Sequence, residues 1–311
     1  MRLITVLALL APLQASAATL SVPSQFSTIQ DAVDNAADGD VIEIAAGVYS
    51  EEVLIEGVDV HLIGLGGSAA VRIEEQKTLE IVNAVVSLTG IELVPEERGI
   101  DADQCVLIID DLYVHGGNDN RDGVGSRFVS CEVLMSDSVY ENNDARDSDG
   151  GHIFLDDSSL VATNTRFSAG AAAKGGAVLS TQGSVFSCDS CQFDGNTAGR
   201  QGGAIFLDQG IGETALADTQ LLLNQAAEAG GGIYSRADAL FLDGVLFDGN
   251  SVQGGGTGPA AVLRATAVAS SSSTISNHNA DSSGAVVLEA DGNNGSASWD
   301  GALIIVWPKW S

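Results

Sequence analysis

Basic residues are scarce in this sequence: Lys and Arg together number 13 against 42 Asp and Glu, for a formal net charge of −29. So acidic a surface repels nucleic acid and anionic membranes and excludes both as partners. It also disfavours a polyuronate substrate unless Ca²⁺ bridges the two. Beyond Leu13 no apolar run approaches the length that spans a bilayer, so no transmembrane helix is expected in the mature chain. Helical periodicity is missing from the body of the sequence. Its apolar runs are short, as at Ala204–Leu207 and Ala239–Leu242, and are separated by Gly, Asn, Asp and Ser. The cysteines supply a single C-x-x-C, and the histidines, His61, His115, His152 and His278, show neither zinc nor triad spacing.

What the chain has is a repeat. Phe193-Asp-Gly-Asn196 precedes Gly202-Gly-Ala-Ile205, and related phrases begin at Tyr140, Phe167, Leu221, Phe247 and Thr274, steps of 26 to 28 residues. A fixed period of this size, with one supersecondary unit per repeat, specifies a solenoid. Short apolar runs joined by tight turns make it an all-β, right-handed parallel β-helix, the hand following from the crossover preference of parallel strands. Residues one period apart then sit on top of one another, about 4.8 Å apart. Asn143, Asn196, Asn224, Asn250 and Asn277 should form a ladder of side-chain amides bonded along the column and to turn backbone. The Phe and Leu positions should form an internal apolar stack, and the Gly-Gly positions a turn without room for Cβ.

Phe-x-x-Asn followed by Gly-Gly-Ala-Ile, met most fully at Phe193…Asn196 and Gly202–Ile205, resembles the repeat of the polymorphic outer-membrane proteins, secreted bacterial β-helix proteins. Elsewhere Leu221 and Thr274 stand for Phe, and Gly170 for Asn. The N-terminal strings Phe26-Ser-Thr-Ile-Gln-Asp-Ala-Val33, Gly39-Asp-Val-Ile-Glu-Ile44, Gly47-Val-Tyr-Ser-Glu51 and Leu62-Ile-Gly64 resemble the opening of the pectin-lyase-like superfamily, which implies a short helix capping the first coil. Ser27 and Gln30 have capping-box spacing. Ile29, Ala32, Val33 and Ala36 share a helical face that would cover the open end of that coil.

Met1-Arg2, the apolar run Leu3–Leu13 and Ala15-Ser16-Ala17 read as a secretory signal peptide. The expected organisation is a signal peptide over 1–17, an N-terminal cap over 18–40, the β-helix over 41–298 and a C-terminal tail over 299–311. The tail has no capping pattern, which leaves truncation open. The expected location is secreted, or at the bacterial cell surface or outer membrane. Export makes disulfides available. Cys105 and Cys131 lie one period apart, and stacked Cα atoms near 4.8 Å suit a bridge between coils. Cys188 and Cys191 are expected to close a local disulfide, with a zinc half-site or a redox pair as alternatives.

Asn118, Asn120 and Asp122 on one turn, and Asp144, Asp147 and Asp149 on the next, cluster oxygens that suit Ca²⁺. Hydrated turns held by Asp–Arg pairing are the alternative. Catalytic signatures are harder to find. The resemblance implies lyase, hydrolase or esterase chemistry on acidic polysaccharides, yet Gly151-His152-Ile153 and Gly47…Glu51 match only fragments of such motifs. Asp110-Asp111 and Asp156-Asp157 each offer one outward carboxylate, and Arg121, Arg146, Arg166 and Arg200 have no motif around them. The expected function is therefore a non-catalytic binding scaffold for adhesion or envelope display, with a glycan or cell-surface protein as partner. The alternative is a polysaccharide lyase, hydrolase or esterase with a degenerate signature.

Overall fold

A computed structural model describes residues 17–181, 183–254, 256–264, 267–278, 285–288, 296–299 and 305–306. The expected signal peptide lies outside the described residues apart from Ala17, and so does most of the 299–311 tail. The rest is a parallel β-solenoid of about ten turns with almost no helix. Every strand pairs in parallel with its counterpart one coil away, as Glu132–Ser136 does with Ser159–Thr163. Each full coil supplies three strands to three long faces. The first face stacks Glu132–Ser136, Ser159–Thr163, Val185–Asp189, Glu213–Ala217 and Ala239–Asp243. The second stacks Val139–Glu141, Arg166–Ser168, Gln192–Asp194, Gln220–Leu222 and Leu246–Asp248. The third stacks Ser126–Val129, Ile153–Asp156, Val178–Ser180, Ile205–Leu207 and Ile233–Ser235. A four-stranded accessory sheet, Ala171–Lys174, Thr197–Gln201, Gln225–Ala226 and Ser251–Val252, runs along the turn between the second and third faces.

Coil length is not constant. Leu62 lies on Ile42, 20 residues on, and Leu107 on Val86, 21 residues on, whereas Leu160 lies on Val133 at 27. The early coils are tighter and lack the repeated phrase, which is why the period becomes visible only from Tyr140.

Alternation fills the core. Inward positions such as Ile42, Leu62, Leu88, Ile109 and Leu160 are fully or almost fully buried, and apolar burial is the main favourable term in folding. Tyr140, Phe167 and Phe193 stack along the axis with ring centroids 5.6 and 4.9 Å apart, continued by Leu221 and Phe247. Gly176, Gly203 and Gly231 answer the Gly-Gly expectation: a Cβ there would run into the carbonyl oxygen of the next coil.

The amide ladder is present at four of its five expected rungs. Asn143 Oδ1 accepts from the Gly117 N–H at 3.1 Å, Asn196 from Gly170 at 2.9 Å, Asn224 from Asn196 at 3.0 Å and Asn250 from Asn224 at 2.9 Å. The matching Nδ2 groups donate to the carbonyls of Val114, Phe167, Phe193 and Leu221. Asn277 is the exception. Ile275, not Thr274, lies on Phe247, so the rung position falls on His278, whose ring nitrogens contact Asn250 O at 3.0 Å and Phe247 O at 3.2 Å. Asn277 stands one residue out of register, exposed, with its amide on Asp248.

Gly170 leaves a gap in the ladder, and His152 fills it. Its imidazole contacts Asn143 Nδ2 at 3.0 Å and Ser168 O at 3.1 Å, and a Cβ on Gly170 would lie 2.6 Å from His152 Nε2. His152 is fully buried. Burial pushes its pKa down to about 3, against the opposing pull of hydrogen bonds to the Ser168 carbonyl and the Asn196 amide.

The expected cap is a helix, Ile29–Asp34, with Ile29, Ala32 and Val33 buried against the first coil. Its N-cap is Thr28 rather than Ser27: Thr28 Oγ1 accepts from Asp31 N–H at 3.0 Å. The free N–H groups of Ile29 and Gln30 are met by the Glu51 carboxylate from the next coil, at 2.9 and 3.0 Å. Glu51 of the Gly47…Glu51 string thus holds the cap in place.

Candidate functional site

The two acidic turns are neighbours, though one residue out of the expected alignment: Asn118 bridges to Asp144, not Asn143. Their oxygens face protein partners. Asn118 Oδ1 accepts from Arg146 Nε at 2.7 Å, and Asp144 Oδ1 from the Arg146 backbone N–H at 2.7 Å. Asn120 Oδ1 accepts from Ser148 Oγ at 3.3 Å and Asp122 Oδ1 from the Asp149 N–H at 2.8 Å. Asp147 is exposed. Asp149 lies 3.9 Å from Lys174, and burial holds its carboxyl above the ordinary value. Among the described residues no three His, Cys, Asp or Glu converge as metal ligands. The oxygens expected to serve Ca²⁺ are therefore not brought together, and the Arg146 guanidinium supplies positive charge at the turn instead.

Cys105 and Cys131 do stack one coil apart, in the register that pairs Val106 with Glu132, but they are buried free thiols. The expected bridge between them is absent from the structure for a local reason. Each thiol turns back on its own chain, Cys105 Sγ to Asp103 O at 3.0 Å and Cys131 Sγ to Val129 O at 3.1 Å. Ser158, next in the column, does the same to Asp156 O at 2.8 Å. The cysteines occupy a turn position that a hydroxyl otherwise fills. A hydrogen bond from Cys131 draws the Cys105 pKa down to about 7, and the same contact with burial pushes Cys131 up. Cys188 and Cys191 form the expected disulfide, with Cα atoms 5.9 Å apart. Both are buried, which removes the exposure a redox pair needs.

The carboxylate pairs considered for catalysis are split between different contacts. Asp110 accepts from Ser136 Oγ at 2.7 Å, while Asp111 accepts from Ser68 Oγ at 2.7 Å. Asp156 takes Thr181 Oγ1 at 2.7 Å. Arg121 is paired with Asp119 at 2.7 Å and Glu97 at 3.0 Å.

Two surface features remain, and sequence spacing indicated neither. One is on the second face. His115 Nε2 lies 2.7 Å from Glu92 Oε1, and the Tyr113 hydroxyl donates to Glu141 Oε2 at 2.8 Å. The Tyr113 and His115 rings stack at 4.3 Å between the two carboxylates. Burial and Glu141 push the Tyr113 phenol up to about 12. Beside them opens a cleft of about 720 Å³ lined by Ser50, Glu74, Glu75, Val94, Glu96 and Asn118, among others. The signal lies in the coil register: Glu92 sits on Tyr113, so its diagonal neighbour is His115.

The other is on the first face. Its inward residues are committed to the core, and its outward residues form axial columns. In the central column Ile108, Leu134 and Val161 occupy three successive rungs with 48, 55 and 42% of their surface exposed. Val85, Val106 and Val185 lie in the adjoining column and are also exposed. Single exposed apolar residues are ordinary, but a contiguous patch on a rigid sheet marks a contact surface.

Residues 190–208 match the repeat of the Chlamydia polymorphic membrane proteins. This is the coil that holds the Cys188–Cys191 disulfide, the Asn196 rung and the Gly202-Gly203 turn. No curated protein sequence matches the chain. Solved structures similar to it include the pectin methylesterase of Aspergillus niger, at 14% identity over 86% of this chain and 92% of that one, TM-score 0.44. Polygalacturonase from Erwinia carotovora ssp. carotovora is 12% identical over 91% and 96% of the two chains, TM-score 0.46. The ORF18 protein of Geobacillus virus E2 is 12% identical over 91% and 62%, TM-score 0.48. No statement about activity follows from likenesses at this level. No helix among the described residues is long and apolar enough to cross a membrane.

Proposed function

We propose that the protein is a non-catalytic binding scaffold, secreted or held at the bacterial cell surface, that presents the long faces of its solenoid to a glycan or cell-surface protein. The observation that supports this reading is the apolar patch of Ile108, Leu134 and Val161 on a sheet whose other side is fully committed to the core. Such a face costs solubility unless something binds it, and a solenoid keeps it flat and rigid whatever the outward side chains are. The match of residues 190–208 to a surface-protein repeat is in keeping with display outside the cell. The reading is tested by incubating the mature protein with pectate, methylated pectin, polygalacturonate and alginate while scoring its binding on glycan and surface-protein arrays. Saturable binding without turnover is expected.

One observation favours a second reading. Glu92, His115, Tyr113 and Glu141 place two carboxylates, an imidazole and a phenol beside a cleft, and paired acid and base groups are what hydrolytic chemistry requires. Turnover of any of these polymers that disappears in Glu92→Gln or His115→Ala would replace the scaffold with an enzyme.

A further inference from the structure

The first face is distinguished by charge as well as by apolar exposure. The strand segments 85–89, 106–110, 132–136, 159–163, 185–189, 213–217 and 239–243 contain Asp110, Glu132, Asp189, Glu213 and Asp243, and no Lys or Arg. These carboxylates frame the apolar column from both sides. Glu132 stands two residues before Leu134 on the same strand, and Asp110 two residues after Ile108. The cations lie elsewhere and are engaged there. Arg98 and Arg127 pair with Asp101 on the third face, Arg121 with Glu97 and Asp119, Lys174 with Asp149, and Arg236 with Asp208.

Val85, Val106, Ile108, Leu134, Val161 and Val185 span five coils. At the spacings of a parallel sheet the patch is about 20 Å along the axis and about 7 Å between columns, or about 14 Å with the side chains' own width. That is a few hundred Å², the footprint of one helix or one hairpin and well below the ~800 Å² that each partner contributes to a standard protein interface. A second copy of the chain is a poor occupant. Face-to-face pairing would oppose like carboxylates between molecules that each carry a net charge of −29, and juxtaposed like charges disfavour association.

We infer that the first face docks a short amphipathic segment of a partner protein, with apolar side chains on the Ile108–Leu134–Val161 column and Lys or Arg side chains toward Asp110, Glu132 and Asp189. The inference rests on the reading of the protein as a binding scaffold and names the surface and its partner chemistry. Apolar contact supplies affinity, and the acidic frame speeds encounter and rejects acidic competitors.

The probe is a synthetic fourteen-residue amphipathic Lys–Leu peptide (a length of about 21 Å as a helix), with a Lys–Ser peptide of equal charge as control, titrated by calorimetry at two salt concentrations. The wild-type protein should bind the Lys–Leu peptide at least about tenfold more tightly than the Lys–Ser peptide. Paired Ile108→Ser and Leu134→Ser should weaken binding about tenfold or more, as should paired Glu132→Lys and Asp189→Lys. Paired Glu56→Lys and Asp147→Lys, exposed acids off this face, should have little effect. All six substitutions are at solvent-facing positions, and circular dichroism verifies the fold of each variant. Equal weakening by the off-face pair, equal binding of the Lys–Ser peptide, or no effect of the serine pair would overturn the inference. So would a dimer in sedimentation equilibrium that the serine pair dissociates, which would assign the face to a second copy. Polymer turnover with docking intact would remove the scaffold reading and leave the docking face standing. Array binding that persists after all four on-face changes would do the reverse.

Discussion

Asn224→Ala tests whether the buried amide ladder holds coil to coil. Asn224 is fully buried and its side chain makes four hydrogen bonds. Oδ1 accepts from the Asn196 N–H at 3.0 Å and from Asn196 Nδ2 at 2.9 Å, while Nδ2 donates to Phe193 O at 3.1 Å and Asn250 Oδ1 at 2.9 Å. Truncation to Ala does not orphan every partner. Asn250 Oδ1 keeps the Asn224 N–H, and Asn196 Nδ2 keeps Phe167 O. The Asn196 N–H loses its acceptor, and Phe193 O loses its side-chain donor. A buried polar group left unsatisfied costs about 1–3 kcal/mol, so a loss of about 2–5 kcal/mol is expected from these two together. Asn277→Ala is the internal control: an exposed residue with one side-chain contact, where a change within about 0.5 kcal/mol is expected. Urea titration followed by far-UV circular dichroism compares the two midpoints. Solenoid repeats need not unfold together, so hydrogen exchange at Phe193–Asn196 should localise the loss to that rung. A midpoint for Asn224→Ala no lower than that of Asn277→Ala would refute the ladder as a source of stability.

His152 should make the fold acid-sensitive. Its pKa falls from an ordinary value near 6.5 to about 3 on folding, so the unfolded chain binds the proton first, and stability is complete above pH ~6.5 and declines as pH falls toward 3. His152→Gln should flatten the part of the urea-midpoint profile between those limits, and a profile that keeps the wild-type slope counts against a buried neutral imidazole. Peptide mapping without reductant should find Cys188 joined to Cys191, with Cys105 and Cys131 alkylated only after denaturation; a linked Cys105–Cys131 pair would show that the turn position does not protect them. The melting temperature should be the same in chelator and in millimolar Ca²⁺, with Asp122→Ala lowering it equally in both through the lost Asp149 N–H bond; a Ca²⁺-dependent rise abolished by Asp122→Ala would restore the cation at those turns.

The recurring phrase was enough to indicate the architecture because stacking turns sequence period directly into contact: Phe167 on Phe193 and Asn196 on Asn224 are neighbours since their spacing is the coil length. The same logic misplaced Asn277. The phrase Thr274…Asn277 imitates the motif, but the apolar residue that must face inward is Ile275, and burial of that side chain sets the register. His152 was hidden because its role depends on a missing residue, Gly170, in the following coil. The cysteine alignment was correct, yet alignment alone does not decide a bond, since a thiol at this turn has a carbonyl of its own to satisfy. Glu92 and His115 are 23 residues apart, a diagonal across one of the shorter coils, and no search at a constant period of 26 to 28 brings them together. The apolar patch was legible as alternation, but alternation does not say which alternate residues solvent will reach.

All hydrogen bonds between coils, in the strands and in the Asn ladder alike, run along the solenoid axis. Mechanical load therefore meets two different structures. Tension along the axis passes through the coil interfaces in series, so each must bear the whole force and the weakest opens first, releasing its 20 to 28 residues of contour length as extended chain. A sideways pull on a docked segment is instead divided among the five coils under the Val85–Val185 patch. Anchored at one end and loaded at that face, the molecule would lengthen one coil at a time under axial pull while keeping its grip under shear.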